Sequence, residues 1–273
     1  MKVWLNGEVL ESDAATISVR DHGLTVGDGV FETAKVVDGT PFALTRHLDR
    51  LQMSAARLGL AAPSQDELRL GIQQLLEAHE PGAVGRLRLT VTGGDGPPGT
   101  ERGTSGPTVL IVVGPASAWP GSASLCTVPW ARNERSAVAG AKTTSYAENV
   151  VALAYAKQRG AAEALFLDTR GYLCEGTGSN VFVVVGGRIL TPALSTGCLA
   201  GVTRALVVEW SGAEEAELLP TVLDEADEVF ITSSTRDVQA VNAVDARTYV
   251  SPGPVTARVA ETFARRSAED VDP

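Results

Sequence analysis

Apolar and polar residues alternate through KVWLNGEVL at the start of the chain, and the alternation breaks once, at Asn6-Gly7. A period of two predicts strands. Asn-Gly is the dipeptide that two-residue hairpin turns favour, so residues 2–10 read as a strand pair. A second hairpin is predicted where Phe31–Val37 and Pro41–Leu44 flank Asp38-Gly39. The period then changes. Leu44, Leu48, Leu51 and Leu58 recur at helical spacing, and a further helix is predicted over about 65–79. Strands 86–92 and 108–113 enclose the Gly/Pro-rich run GGDGPPGTERGTSGP.

Residues 114–122, GPASAWPGS, have the composition of a linker. Beyond it the pattern predicts strand Leu125–Val128, a helix at about 145–159, strands 163–168 and 180–185, and a turn at Gly186-Gly187 into Ile189–Thr191. Helix 202–210, strand 228–232 and an amphipathic helix near 253–268 follow. Strands and helices mix without a regular strand–helix–strand rhythm, so the fold class is α+β. The expected division is a small amino-terminal α/β domain over 1–115 and a larger one over 123–273. No GxGxxG follows a strand, which argues against a dinucleotide site.

Composition narrows the chemistry. The 273 residues carry a net charge of −10, which repels phosphate backbones and anionic surfaces and argues against nucleic-acid or membrane partners. No apolar run is long enough to span a bilayer, and no signal pattern opens the chain, so a cytoplasmic location is expected. Cys126, Cys174 and Cys198 are too scattered for a disulfide scaffold, and His22, His47 and His79 offer no metal-binding spacing, so no metal is expected. The basic residues divide into nineteen arginines and only four lysines, Lys2, Lys35, Lys142 and Lys157. A lysine can lose its proton and act as a nucleophile, whereas arginine stays charged.

Of the four, Lys142 has the most informative setting. It lies in GAKTTSYAENV just before a helix, where Ser145 and Glu148 have capping-box spacing and the helix dipole would lower an amine's pKa. Glu175, in LCEGTGSNVF, follows the turn Thr169-Arg170-Gly171 and is flanked by small residues that let a flat ligand approach. In GCLAGVTRALVVEW, Gly201 precedes a helix whose first N–H groups, with the Thr203 hydroxyl, could cradle a phosphate. In FITSSTRDV a strand runs into the hydroxyls of Thr232 to Thr235, and Arg50 lies on the polar side of the first long helix. Taken singly, these are also what an ordinary loop lysine, turn acid, helix cap or surface ion pair would look like. Together, a lysine for an imine, an acid, phosphate-binding segments and an arginine form the inventory that pyridoxal phosphate requires.

The order GDGVFETAKVVDG, HLDRL, AKTTSY, EGTGSNVF, GCLAGVTR and FITSST resembles the class IV, fold-type IV pyridoxal-phosphate family over about residues 3–268. That family holds branched-chain and D-amino-acid aminotransferases and 4-amino-4-deoxychorismate lyase. The resemblance implies two domains with pyridoxal 5'-phosphate between them, the Schiff-base lysine on the carboxy-terminal one, and a homodimer. It gives Lys142 the covalent attachment and the proton shuttle, and Glu175 the pyridine nitrogen. Arg50, Val202, Thr203, Ser233 and Ser234 would hold the phosphate, Leu199 would pack under the ring, and Tyr146 would hydrogen-bond the ring hydroxyl.

The resemblance does not fix the reaction. Arg86 and Arg88 alternate onto one face of their strand, and both could meet a substrate carboxylate. Arg88 resembles in place a basic residue of the branched-chain enzymes and lyases. Gly93-Gly94 stands where D-amino-acid enzymes and lyases often carry an arginine. Thr33-Ala34, beside Phe31, is lyase-like, and Glu32 is transaminase-like. Arg236 is either a second carboxylate ligand or the partner of Asp237. With Phe31, Arg88 and Arg236 as substrate residues, the expectation is the lyase of aminobenzoate and folate synthesis, giving 4-aminobenzoate and pyruvate. The alternatives are an aminotransferase for branched-chain or D-amino acids and a catalytically silent cofactor-binding protein.

Overall fold

A computed structural model describes residues 1–80 and 82–273. The chain folds as two compact units. Unit 1 comprises Met1–Ser117, Ala141–Tyr146 and Val271–Pro273; unit 2 comprises Ala118–Gly140 and Ala147–Asp270.

Unit 1 contains β1 (Lys2–Leu5), β2 (Glu8–Glu11), α1 (His22–Thr25), β3 (Gly29–Val37), β4 (Thr40–Pro41), α2 (Leu44–Leu58), α3 (Gln65–Glu77), β5 (Arg86–Thr92) and β6 (Thr108–Gly114). Its strands form an antiparallel sheet in the order β2-β1-β6-β5-β3-β4. Both expected hairpins are present, and the Asn6 and Asp38 backbones adopt the positive φ that their turns require. Helices α2 and α3 bury their leucines against one sheet face, with Leu48, Leu51, Leu68 and Leu75 meeting Trp4, Val30, Leu87, Leu89 and Ile111. Ser64 and Glu67 close the start of α3 as a capping box. The Gly/Pro-rich run after β5 is anchored by Arg102, which donates to both oxygens of Asp28 at 2.6 and 2.7 Å and to the Leu58 and Gly59 carbonyls.

Alternation along β3 turns Val30, Glu32, Ala34 and Val36 toward the helices and Phe31, Thr33 and Lys35 the other way. Strand β4 pairs only with Val36 and Val37, which leaves the start of β3 open on that edge. Residues 142–144 fill it. The Phe31 N–H donates to the Lys142 carbonyl at 3.0 Å, the Thr144 N–H donates to the Gly29 carbonyl at 2.8 Å, and Val30 bridges Thr143. Gly29 permits this approach, because a Cβ there would lie 2.9 Å from both Thr144 Oγ1 and the Val91 carbonyl. Lys142 therefore belongs to unit 1. The expectation that placed it on the carboxy-terminal domain followed chain order, whereas strand pairing decides the matter.

Unit 2 contains β7 (Ser122–Arg132), α4 (Ala147–Gln158), β8 (Glu163–Asp168), β9 (Leu173–Gly176), β10 (Asn180–Val185), β11 (Arg188–Pro192) and α5 (Val202–Ser211). It continues through β12 (Glu214–Ala216), α6 (Val222–Glu225), β13 (Glu228–Ser233), β14 (Asp237–Val244), β15 (Arg247–Thr248) and α7 (Pro254–Glu269). The sheet is mixed: β7 runs parallel to β8 and β14, while β10 pairs antiparallel with β11 and β13. Leu125, Leu165 and Leu173 enter one core. Their strand neighbours Cys126, Ala164, Phe166 and Cys174 enter another, with Ala152 and Ala156 of α4. Burial on both faces explains why these strands read as continuous apolar runs.

The capping box expected at Ser145 does not form. Helix α4 starts at Ala147, the Ser145 hydroxyl donates to the Gly27 carbonyl at 2.9 Å, and Glu148 pairs with Arg132 at 2.6 Å. Lys142 is thus five positions ahead of the helix, beyond the first turn over which a helix dipole acts. Among the described residues no helix is long and apolar enough to cross a membrane.

Candidate active site

In unit 1, pairing of residues 142–144 with β3 sets Lys142 beside Phe31. Its Nζ lies 4.2 Å from the centre of the Phe31 ring and 6.0 Å from that of Tyr146. The two rings meet edge to face, with centroids 5.3 Å apart. The Arg88 guanidinium lies over the same Phe31 ring at 3.8 Å. The structure therefore gathers Lys142, Tyr146, Phe31 and Arg88. Behind them the buried Ser54 hydroxyl of α2 accepts from the Lys142 N–H at 3.1 Å. Sequence patterning missed Ser54, although it shares the buried stripe of α2 with Leu48, Leu51 and Ala55. In Ser54→Ala that N–H loses its partner, at an expected cost of about 1–3 kcal/mol in unfolding by denaturant. Unchanged stability would show that the contact adds nothing.

Arg50 differs from expectation. It faces the sheet rather than solvent, and its Nε and Nη2 each donate to Glu32 at 2.7 Å. His47 Nδ1 lies 2.7 Å from the same carboxylate. Arg50 is 7% exposed, Glu32 2% and His47 2%. Burial works to raise the Glu32 carboxyl, but Arg50 and His47 outweigh it and hold the group well below the usual carboxylate range. Burial holds His47 below its ordinary value, opposed by Glu32 and reinforced by the positive charges of Arg50 and Lys142. The resulting acid–arginine clamp fixes the guanidinium plane.

In unit 2, Glu175 lies on β9, and its Oε2 accepts from the Leu199 N–H at 2.9 Å. Arg132 Nε is 3.3 Å from Glu175 Oε1. The same guanidinium stacks over Phe166 at 4.2 Å and reaches Glu148. A cation so held favours the ionised carboxylate. Sequence reading also missed Arg132, which ends β7 opposite Asp168 on β8. Cys174 and Cys198 flank Glu175 and Leu199 in sequence. Burial pushes both thiols up, Cys198 to about 11, so neither supplies a thiolate near neutral pH.

The Asn180 amide donates to the Leu199 carbonyl at 2.9 Å, and Gly201 packs directly on Asn180, where a Cβ would collide. Gly201 gives α5 no side-chain cap, so the first N–H groups of the helix, at Val202 and Thr203, are left without one. Thr203 is buried, Ser233 and Ser234 are half-buried, and the buried Thr232 Oγ1 has no hydrogen-bond partner. Uncapped amides and hydroxyls are a donor set suited to a phosphate.

Arg236 finds its acid elsewhere than at Asp237. Its Nη2 pairs with Glu163 Oε2 at 2.7 Å, and its guanidinium stacks over Trp119 at 4.1 Å. Glu163 also accepts from the Thr177 N–H at 2.8 Å and from the Thr177 hydroxyl. Glu163 is buried in β8 and needs a cation, and Arg236 supplies it. Among the described residues, no cluster of acids, histidines and cysteines could hold a metal ion.

Unit 1 thus offers a half-buried lysine on fixed backbone, and unit 2 a partnered carboxylate and an uncapped helix start rich in hydroxyls, each a feature suited to pyridoxal phosphate. The chain belongs to the amino-transferase class IV family, whose sequence profile matches residues 29–244. It is 33% identical to the D-alanine aminotransferase of Bacillus licheniformis, over 95% of this chain and 94% of that one. It is 31% identical to the aminodeoxychorismate lyase of Bacillus subtilis, over 91% and 88%. The branched-chain amino acid aminotransferase of Escherichia coli superposes with a TM-score of 0.90 at 27% identity, covering 97% and 93% of the two chains. Another branched-chain amino acid aminotransferase, solved with pyridoxamine 5'-phosphate, superposes with a TM-score of 0.88 at 28% identity over the same shares. The fold is thus α+β of fold-type IV, and the cofactor is pyridoxal phosphate.

Proposed function

We propose that the protein is an aminotransferase for α-amino acids, acting in the cytoplasm as a homodimer. The observation that carries this is Arg88, which lies over the Phe31 ring that Lys142 also approaches and has no carboxylate partner among the described residues. A carboxylate arriving there meets an unneutralised guanidinium while its α-carbon lies near the Lys142 amine. When bound, pyridoxal phosphate supplies a ring that accepts the electrons released at that carbon. Lys142 attaches the cofactor and afterwards moves the proton at the α-carbon. Glu175, paired with Arg132, would hold a proton on the ring nitrogen. Tyr146 donates to the ring hydroxyl and Leu199 packs on the ring. Arg50, oriented by Glu32, joins Val202, Thr203, Ser233 and Ser234 in holding the phosphate.

A second proposal is the aminodeoxychorismate lyase. It draws on the lyase relative and on the two arginines of β5, while Arg236, one of the two arginines first expected to favour it, pairs with Glu163. Incubation of the holoenzyme with aminodeoxychorismate alone separates the two. Release of pyruvate and 4-aminobenzoate without a keto acid establishes the lyase. Turnover of amino acids that stops unless a keto acid is supplied establishes the aminotransferase. In either case Arg88→Leu is expected to raise KM about tenfold, the worth of one charge-assisted hydrogen bond.

A further inference from the structure

The outward face of unit 1's sheet carries a charge pattern of which the aminotransferase reading uses only Arg88. In register across β3, β5 and β6, Phe31 lies opposite Thr90 and Leu110, Thr33 opposite Arg88 and Val112, and Lys35 opposite Arg86 and Gly114. The only acid in these three strands is Glu32, and alternation turns it to the opposite face, where Arg50 and His47 hold it. Arg86, like Arg88, has no carboxylate partner among the described residues, although the chain as a whole is acidic. Elsewhere arginines such as Arg20, Arg102, Arg170 and Arg236 each meet an acid within 3 Å.

Gly114 leaves the surface beside Arg86 bare, and an Arg86 Nη2 lies 3.8 Å from where a Cβ of residue 114 would be. Lys35, directly across from Arg86, holds its Nζ 4.6 Å from the Phe42 ring. Arg86 is two strand residues, about 7 Å, from Arg88 and farther from Lys142. Burial holds the Arg88 guanidinium below its ordinary value; Tyr146 opposes this and the like charge of Arg86 adds to it.

We propose that Arg86, with Lys35, forms a subsite for a second acidic group of the substrate, one spacing beyond the group held by Arg88. The preferred substrates are then amino acids or amines bearing two carboxylates, or a carboxylate and another anionic group. This rests on the placement of substrate beside Lys142 and Arg88 proposed above, and it holds for either reaction.

The test is equilibrium binding to the holoenzyme of adipate and hexanoate, unreactive acids of equal length that differ in one carboxylate. The wild type is expected to bind adipate about tenfold more tightly than hexanoate. That ratio should collapse toward one in Arg86→Gln and be largely kept in Arg86→Lys, which preserves the charge. An equal affinity in the wild type, or a preference that survives in Arg86→Gln, would overturn the subsite. So would a change in the mass of Arg86→Gln by sedimentation, which would assign Arg86 to a contact between subunits. If the protein shows no absorbance of lysine-bound cofactor, the placement of substrate beside Lys142 fails before the subsite is reached.

Discussion

Lys142→Ala is expected to abolish covalent attachment of the cofactor. The absorbance near 410–430 nm, roughly where protein-bound pyridoxal phosphate absorbs, should vanish from the purified protein. Turnover should fall by about 10⁴-fold or more, since attachment and proton transfer are lost together. The loss should not be one of folding, because the backbone pairing of residues 142–144 with β3 and the Ser54 contact involve main-chain atoms of Lys142. Lys142→Arg is the sharper variant. It keeps the charge near Phe31, yet a guanidinium does not lose its proton and forms no imine. Retention of the absorbance band in either variant would remove Lys142 from its assigned role.

The second large effect is expected at Glu32. In Glu32→Gln, Arg50 stays buried with its charge uncompensated, at a cost of about 3–5 kcal/mol. That corresponds to a fall in melting temperature on the order of 10 °C. The pH dependence distinguishes this from a packing defect. The Glu32 carboxyl titrates lower in the folded protein than in the unfolded chain, where its ordinary value is 4.5. Its contribution is therefore fully present above that value and is lost as pH falls toward the folded value. His47 acts in the same direction from higher pH. Its folded value lies below 6.5, so acidification protonates the unfolded chain first and draws the equilibrium toward it. The wild type should thus lose stability steeply below about pH 5, and Glu32→Gln should show a shallower slope over that range. Parallel slopes in the two proteins would show that the carboxylate is not ionised in the clamp.

Periodicity made most of the framework legible: α2 and α3, the hairpin at Asn6-Gly7, the strands 86–92 and 108–113, and the closing helix each carry a local signal that the tertiary fold reinforces. Strand β14 was not foreseen, because DVQAVNAV follows a hydroxyl-rich turn and interrupts its apolar residues with Gln239 and Asn242. Lys142 and Glu175 stand out in the sequence because each lies in a distinctive run of small and polar residues. What could not be read was which charge answers which. Arg50 was expected at the phosphate and Arg236 at a substrate carboxylate, each with the adjacent aspartate as its alternative partner. Their true partners, Glu32 and Glu163, are 18 and 73 residues away in the chain and buried in strands, so only the strand pairing could reveal them. Lys142 was likewise placed with its neighbours in sequence rather than with the β3 edge that receives it.

That edge limits how the protein can be cut. Unit 1 draws on three stretches of chain: the first 117 residues, the short run around Lys142, and the last three residues. The final stretch is stitched to the head of α2, where the Ala43 N–H donates to the Val271 carbonyl at 2.7 Å and Thr45 donates to Asp272. A fragment ending at residue 117 would leave the first residues of β3 paired with β5 alone, Ser54 without its partner and the start of α2 without its acceptors. Genetic dissection at the obvious Gly/Pro seam would therefore yield an amino-terminal piece with a raw strand edge and without Lys142. The helix that holds Arg50 depends at its outset on residues encoded at the far end of the sequence.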